Sequence, residues 1–187
     1  MVRDAEATRQ RLLEAARDEF ATYGIAGARV DRIAAAAQSN KAQIYHYFGN
    51  KDGLFDAVFD DMCRVTLDEV PIDATDLPEY AGRLFDSYRR RPWVQRIATW
   101  YRLERASTAD LLPIVVASNT AKIEAISAAQ RAGTLPDRFA PSVLLGLVLH
   151  LSGFWSSNTP EFDAAVDIAS PDAQRRVVVD AVAALVS

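Results

Sequence analysis

The sequence predicts an all-α protein of about nine helices: an N-terminal three-helix helix-turn-helix domain followed by a C-terminal helical bundle domain. Three observations point there. Apolar residues recur at three- and four-residue spacing through nearly the whole chain. No run alternates apolar and polar residues as a half-buried strand does, and no repeat or low-complexity tract interrupts the pattern. Glycine, proline and small polar residues fall where helices have to begin or end.

Each element follows in order. Leu12, Leu13, Ala16, Phe20 and Tyr23 make one stripe, and Gly24 stops this first helix at a position suited to positive φ. A short second helix starts near Val30, with Ile33, Ala34 and Ala37 facing inward. Gln38-Ser39 turn the chain, Asn40 caps a third short helix over Lys41 to Tyr47, and Gly49 closes it. Asn50 caps a fourth helix carrying Leu54, Phe55, Val58, Phe59 and Met62, and Pro71 ends the run. After a connector over residues 71–75, Asp76-Leu77-Pro78-Glu79 reads as a capping box. The helix behind it sets Leu77, Tyr80, Ala81, Leu84, Phe85 and Tyr88 on one face. Pro92 opens a sixth helix with Trp93, Val94, Ile97, Trp100 and Tyr101, and a longer one runs from about Asp110 to Ala132, ending at Gly133. Pro141 to Trp155 is apolar on almost every face, with Gly146 and Gly153 allowing close backbone approach. Ser157 to Ala169 reads as a loop with room for one short turn, and Ser170-Pro171 start a last helix reaching Val186.

Composition narrows the function. The chain of 187 residues is 50% hydrophobic with 8 glycines and 8 prolines, which excludes a mainly disordered or collagen-like protein. The single cysteine, Cys63, excludes an internal disulfide framework and a cysteine-based zinc site, and it reads as inert packing. His46 and His150 stand far apart, so no metal is expected, and no cofactor. The N-terminus has no apolar signal core and the longest apolar stretch is too short to span a bilayer. A soluble cytoplasmic protein with no membrane partner is expected. No nucleophile–base pair, glycine-rich phosphate loop or metal-ligand spacing is visible, so an enzyme is not expected.

The net charge of −4 is unevenly spread: residues through Asp52 carry +1 and the remainder −5. The acidity belongs to the C-terminal part and says little about the first fifty residues.

Two short helices joined by a tight turn, behind a first helix, form a helix-turn-helix candidate. The third helix is too short and polar to bury its whole surface. Lys41, Gln43, His46 and Tyr47 lie on its outward side, while Ile44 and Phe48 face the core. Lysine neutralises phosphate, glutamine can read adenine edges bidentately, and tyrosine or histidine can bond phosphates or pack on thymine methyls. Such helices put their N-terminal residues into the major groove. Tyr45 and Tyr47 cannot both face inward beside Ile44 and Phe48, so at least one is exposed. His46 reads equally as a solvent-facing residue or a DNA contact.

Here the chain resembles the TetR family of repressors. Thr8-Arg9-Gln10-Arg11-Leu12-Leu13-Glu14-Ala15-Ala16, then Phe20, Gly24 and Val30-Asp31-Arg32-Ile33-Ala34, are similar to that family's opening. Lys41-Ala42-Gln43-Ile44-Tyr45-His46-Tyr47-Phe48-Gly49-Asn50-Lys51-Asp52-Gly53-Leu54 match its recognition helix and the start of its fourth helix. The match covers about the first sixty residues; Trp100-Tyr101-Arg102-Leu103-Glu104 resemble one C-terminal subgroup. The resemblance implies that Lys41, Gln43, Tyr45, Tyr47 and Lys51 touch DNA. Tyr45 and Lys51 would hold phosphates, Lys41 and Gln43 would sit nearer base edges, and Asn40, Arg29 and Val30 would lie near the backbone. Two positions depart from the family: the turn carries Gln38-Ser39 in place of glycine and an aliphatic residue, and Asp31 would repel phosphate.

The resemblance also implies two tasks for the rest of the chain, dimerisation and effector sensing. Residues 1–50 would be the DNA-binding domain and 51–187 the effector-binding and dimerisation domain. Leu144, Leu145, Leu147, Val148, Leu149 and Leu151 surround one helix, and Val177, Val178, Val179, Val182, Leu185 and Val186 enrich the last. Two such helices can pair with their symmetry mates in a four-helix interface, although a helix buried within one subunit reads the same way. Tyr80, Phe85, Tyr88, Trp93, Trp100, Tyr101, Phe154 and Trp155 crowd the fifth, sixth and eighth helices, as residues lining a pocket for a small-molecule effector would. Arg96, Arg102, Glu104, Asn119 and His150 could supply its polar groups, although ordinary core is the alternative for each aromatic and for His150. Arg89-Arg90-Arg91 reads as a solvated run. The reading is a ligand-responsive repressor binding a palindromic operator as a homodimer; the alternative is a helical adaptor keeping the helix-turn-helix only as scaffold.

Overall fold

The computed structural model describes residues 2–105, 111–168 and 170–187, with side chains from Ala5 onward. Among the described residues there are ten α-helices and no strand: α1 (Val2–Gly27), α2 (Val30–Ala36), α3 (Lys41–Phe48), α4 (Lys51–Glu69), α5 (Leu77–Arg90), α6 (Pro92–Arg105), α7 (Pro113–Arg131), α8 (Pro141–Ser152), α9 (Pro160–Ala165) and α10 (Pro171–Leu185), with one 3-10 turn at Phe154–Ser156. The all-α expectation holds. The expected start of the seventh helix at Asp110, and Ala169 at the end of the expected loop, lie outside the described residues.

The helix beyond the nine expected is α9, inside the segment expected to be a loop. Thr159 Oγ1 accepts the Phe162 N–H at 3.3 Å and Pro160 occupies the first helical position. It buries no residue, so no apolar stripe announces it. The Thr-Pro pair carries the same start signal as Ser170-Pro171, where Ser170 Oγ accepts the Ala173 N–H at 3.1 Å.

The chain forms two compact units, one of Met1–Val65 with Trp93–Ile114 and one of Thr66–Pro92 with Val115–Ser187. In the first, Leu12, Leu13, Ala16, Phe20, Ile33, Ile44, Leu54, Phe55, Val58, Phe59 and Ile97 are buried together. Phe20 meets Phe55 edge-on, with ring centroids 5.2 Å apart, and Tyr101 lies against Phe55 and Phe59 at 6.3 and 4.8 Å. Two inward assignments are corrected. Tyr23 is 49% exposed, and the Arg32 guanidinium stacks on its ring 4.2 Å from the centroid. Phe48 is half-buried, with the Arg9 guanidinium 5.6 Å from its ring.

Gly24 is where α1 breaks. Its φ of +74° and ψ of −178° interrupt the helix, and one further turn runs to Gly27. Glu104 on α6 takes over the backbone donors that the break frees, Oε1 accepting from Ile25 N–H at 3.2 Å and Oε2 from Ala26 N–H at 2.6 Å. Arg96 Nε donates to the Ala21 carbonyl at 2.9 Å. Glu104 and Arg96 thus bind α1, whereas the sequence offered them as polar groups of an effector pocket. Arg105 closes the same helix onto α4, donating to Asp56 Oδ1 at 2.5 Å and Asp52 Oδ1 at 2.9 Å.

The second unit packs α5, α8 and α10 around Leu77, Tyr80, Leu84, Phe85, Ile126, Leu144, Leu145, Val148, Val178 and Val182. Helices α5 and α10 approach closely at Gly82, where an added Cβ would stand 2.8 Å from the Arg175 guanidinium and 3.0 Å from Val179. Arg175 bridges Asp86 at 2.9 Å and Glu79 at 2.6 Å, and those bonds, Asp86 first, raise its pKa. Arg91 does not belong to a solvated run: it is half-buried, donates to Ser87 Oγ at 2.7 Å and pairs with Glu69.

Candidate nucleic-acid interface

The interface is built on α3, and the residues before α3 determine how it stands. Helix α2 ends at Ala36, and Gln38 then takes a φ of +51° to turn the chain. For a glutamine this left-handed conformation costs roughly 1 kcal/mol or more, where glycine would adopt it freely. The Ser39 N–H returns to the Ala34 carbonyl at 2.9 Å, fixing the turn. Asn40 is extended, and its Oδ1 accepts the Gln43 N–H at 3.0 Å, as its N-cap role requires. Ile44 is fully buried and anchors α3.

That anchoring turns the polar face of α3 outward. Lys41 and His46 are exposed, Tyr45 is 50% exposed, and Gln43 and Tyr47 are half-buried. His46 and Tyr47 meet edge-on at 5.2 Å, so the two rings form one aromatic edge. Lys41 pairs with Asp31 at 2.6 Å, and this bond raises the lysine's pKa. The pair explains how Asp31 is tolerated. Both side chains are exposed, so the pair is weak and a phosphate can replace the carboxylate.

Lys51 has a role that its sequence position did not reveal. Its Nζ donates to the carbonyls of Ala26 at 3.2 Å and Ala28 at 3.3 Å, closing the end of α1. Two of three ammonium donors are thereby used, and one stays available. Arg29 is exposed and Val30 half-buried at the start of α2. The Arg29 N–H donates to Glu19 Oε1 at 2.9 Å, and Arg32 pairs with the same carboxylate at 2.5 Å. Glu19 is only 9% exposed, so this nearly buried carboxylate sets the angle between α1 and α2. Its signal was in the sequence: Glu19 falls in phase with the apolar positions Leu12, Ala16 and Phe20.

The effector candidates divide. Tyr80 and Phe85 are buried and Tyr88 packs against the same core, all in the second unit. Trp93, Trp100 and Tyr101 belong to the first unit, where Trp93 lies under the Arg17 guanidinium at 5.0 Å. His150 is exposed, its Nδ1 2.8 Å from the Gly146 carbonyl. Phe154 is 38% exposed against Trp155 and Phe162.

Tyr80 stands apart because its buried hydroxyl has no hydrogen-bond partner. Burial pushes its pKa up to about 12, against the lowering pull of the Arg83 charge. The folded protein therefore holds this proton more tightly than the unfolded chain, and stability falls as pH rises from about 10 toward about 12. Tyr80→Phe removes the orphan hydroxyl and is expected to raise stability by about 1 kcal/mol while flattening that alkaline limb. Denaturant titrations at pH 7 and across the alkaline range check both; an unchanged alkaline slope assigns it to other groups.

Residues 12–58 match the family model described as bacterial regulatory proteins, tetR family, and residues 76–184 match the model described as tetracyclin repressor-like, C-terminal domain. The HTH-type transcriptional repressor SCO4008 of Streptomyces coelicolor is 37% identical over 161 residues, covering 85% of this chain and 83% of that one. The crystal structure of SCO4942 from the same organism aligns with a TM-score of 0.85 at 39% identity, covering 96% of this chain and 98% of that chain. AibR, in complex with isovaleryl coenzyme A and operator DNA, shares the fold with a TM-score of 0.68 at 19% identity, covering 96% and 97%.

Proposed function

The chain belongs to the TetR family of bacterial regulatory proteins, and from that premise we propose that it is a ligand-responsive repressor binding a palindromic operator as a homodimer. Residues 1–50 carry the DNA-reading head, and 51–187 carry effector binding and dimerisation. The observation that carries the reading is α3 itself, anchored by Ile44, capped by Asn40 and presenting Lys41, Gln43, Tyr45, His46 and Tyr47 outward. Gln43 and Lys41, in the first turn, reach base edges; Tyr45, Lys51, Arg29, Val30 and Asn40 line the phosphate backbone. Among the described residues no helix is long and apolar enough to cross a membrane. A chromosomal DNA partner places the protein's work in the cytoplasm.

The dimer forms through α8 and α10. Val143 is 51% exposed and Val177 39% exposed, and Val143, Leu147 and His150 share one stripe of α8 at helical spacing. An uncovered apolar stripe on a helix already committed to a core on its other side fits a two-fold partner. The effector binds in the second unit, where Tyr80, Phe85, Tyr88 and Phe154 are the candidates. It acts by preferring a conformation whose two heads no longer match successive major grooves.

Selection from a random pool of DNA duplexes tests the reading, with a two-fold symmetric site as the expected enrichment and no enrichment as the result that favours the adaptor. On the selected site, Lys51→Ala should lower the slope of log affinity against log salt by about one. It should also cost about 1 kcal/mol of stability through the lost carbonyl contacts. An unchanged slope leaves Lys51 a purely structural cap.

A further inference from the structure

Beside the recognition helix lies an open notch of about 430 Å³, bordered by α1 on one side and by the turn and α3, as far as Tyr47, on the other. Its polar lining comes from α1, through Thr8 and Arg11, and from Gln38, Ser39, Asn40, Gln43 and Tyr47. No carboxylate lines it, and its one charged side chain among the described residues is the Arg11 guanidinium. Arg11 is held in place by Nε to the Ala37 carbonyl at 3.4 Å and Nη2 to Thr8 Oγ1 at 3.1 Å. Two of its five donors are thus used within the protein, and the others face a pocket of neutral amide and hydroxyl groups. A cationic fork among neutral hydrogen-bond donors suits a phosphate oxygen. Gln38 forms the opposite lip. Its side-chain amide makes no hydrogen bond to the described residues, and its backbone is held at a φ of +51°.

We propose that this notch takes a phosphate of the operator backbone, with Arg11 supplying the charge and Gln38 a hydrogen bond, so that α1 and the turn read DNA alongside α3. The inference rests on the DNA-binding reading above and extends it to two residues that lie outside α3. It also accounts for a glutamine where glycine would be unstrained: the side chain is kept for the contact it makes.

The test separates contact from structure. The probe is the duplex most enriched from the random pool, and the variants are Gln38→Gly and Arg11→Gln. Relief of the turn should raise the melting temperature of Gln38→Gly by roughly 2–4 °C. The same variant should bind the duplex about fivefold more weakly. Arg11→Gln should lower the salt slope by about one. Greater stability with weaker binding is a combination that a merely structural Gln38 does not produce. If Gln38→Gly binds as tightly as the parent, or Arg11→Gln keeps the parental slope, the notch proposal falls while the recognition helix stands. If the parent itself enriches no duplex, the DNA-binding reading and the notch fall together.

Discussion

Gly24→Ala is expected to destabilise the protein by about 3–5 kcal/mol and lower its melting temperature by roughly 6–15 °C. Two independent costs add at this position. The backbone sits at φ +74° and ψ −178°, a region essentially reserved for glycine, where another residue costs about 1–3 kcal/mol. A Cβ there would also come within 2.9 Å of two Trp100 ring atoms and against the Glu104 carboxylate. Trp100 cannot move without disturbing α6, and a displaced Glu104 gives up the N–H groups of Ile25 and Ala26, about 1 kcal/mol each. Gly27→Ala is the control. Its added Cβ meets only Tyr23 Cβ at 3.4 Å, an ordinary contact, so it should melt close to the parent. Thermal melts followed by circular dichroism decide the matter, and a Gly24→Ala protein melting within 2 °C of the parent would contradict the strain argument.

The second large effect concerns assembly. Val143→Glu combined with Leu147→Glu is expected to halve the mass in solution and weaken operator binding about 100-fold or more. Val143 is 51% exposed, and Leu147, one turn on, is half-buried without belonging to the residues packed on the core of the second unit. Two carboxylates there should leave the protomer folded. In a two-fold interface each would face its own copy across a desolvated surface, where like charges strongly oppose pairing. Heads that are no longer linked lose the gain of roughly 10²–10⁴ that joined sites provide. Light scattering at micromolar protein gives the mass, and titration of the selected duplex gives the affinity. A variant that stays dimeric moves the interface away from this face of α8.

Where the sequence could be read, punctuation and phase coincided. Asn40, Asp76 and Ser170 each cap a helix through the side-chain oxygen their position suggested. Ile44, the apolar residue that the sequence set inward on α3, is fully buried. What escaped was of two physical kinds. Helix α9 buries nothing, so periodicity has nothing to detect in it. Glu19, Lys51, Arg96 and Glu104 are polar residues whose partners are backbone groups far along the chain, and residue type carries no record of such a partner. Tyr23 was misplaced for a related reason: it stays half exposed beside Arg32, a charged partner nine residues on that its apolar phase does not record.

The clasp between α6 and the broken end of α1 has a consequence for how the protein is made. The first unit is discontinuous: Ile25 and Ala26 reach their acceptor, Glu104, only after 78 or more further residues have been translated. At about 5–20 residues per second, the helix-turn-helix leaves the ribosome several seconds before its last support exists. During that interval the backbone donors past Gly24 bond to water alone. A reading head cut off after α3 or α4 would stay in that nascent state permanently. The turn past Gly24 therefore gains its last acceptors late in synthesis, when α6 closes a long loop, while the contacts that orient α3 all lie within the first 51 residues.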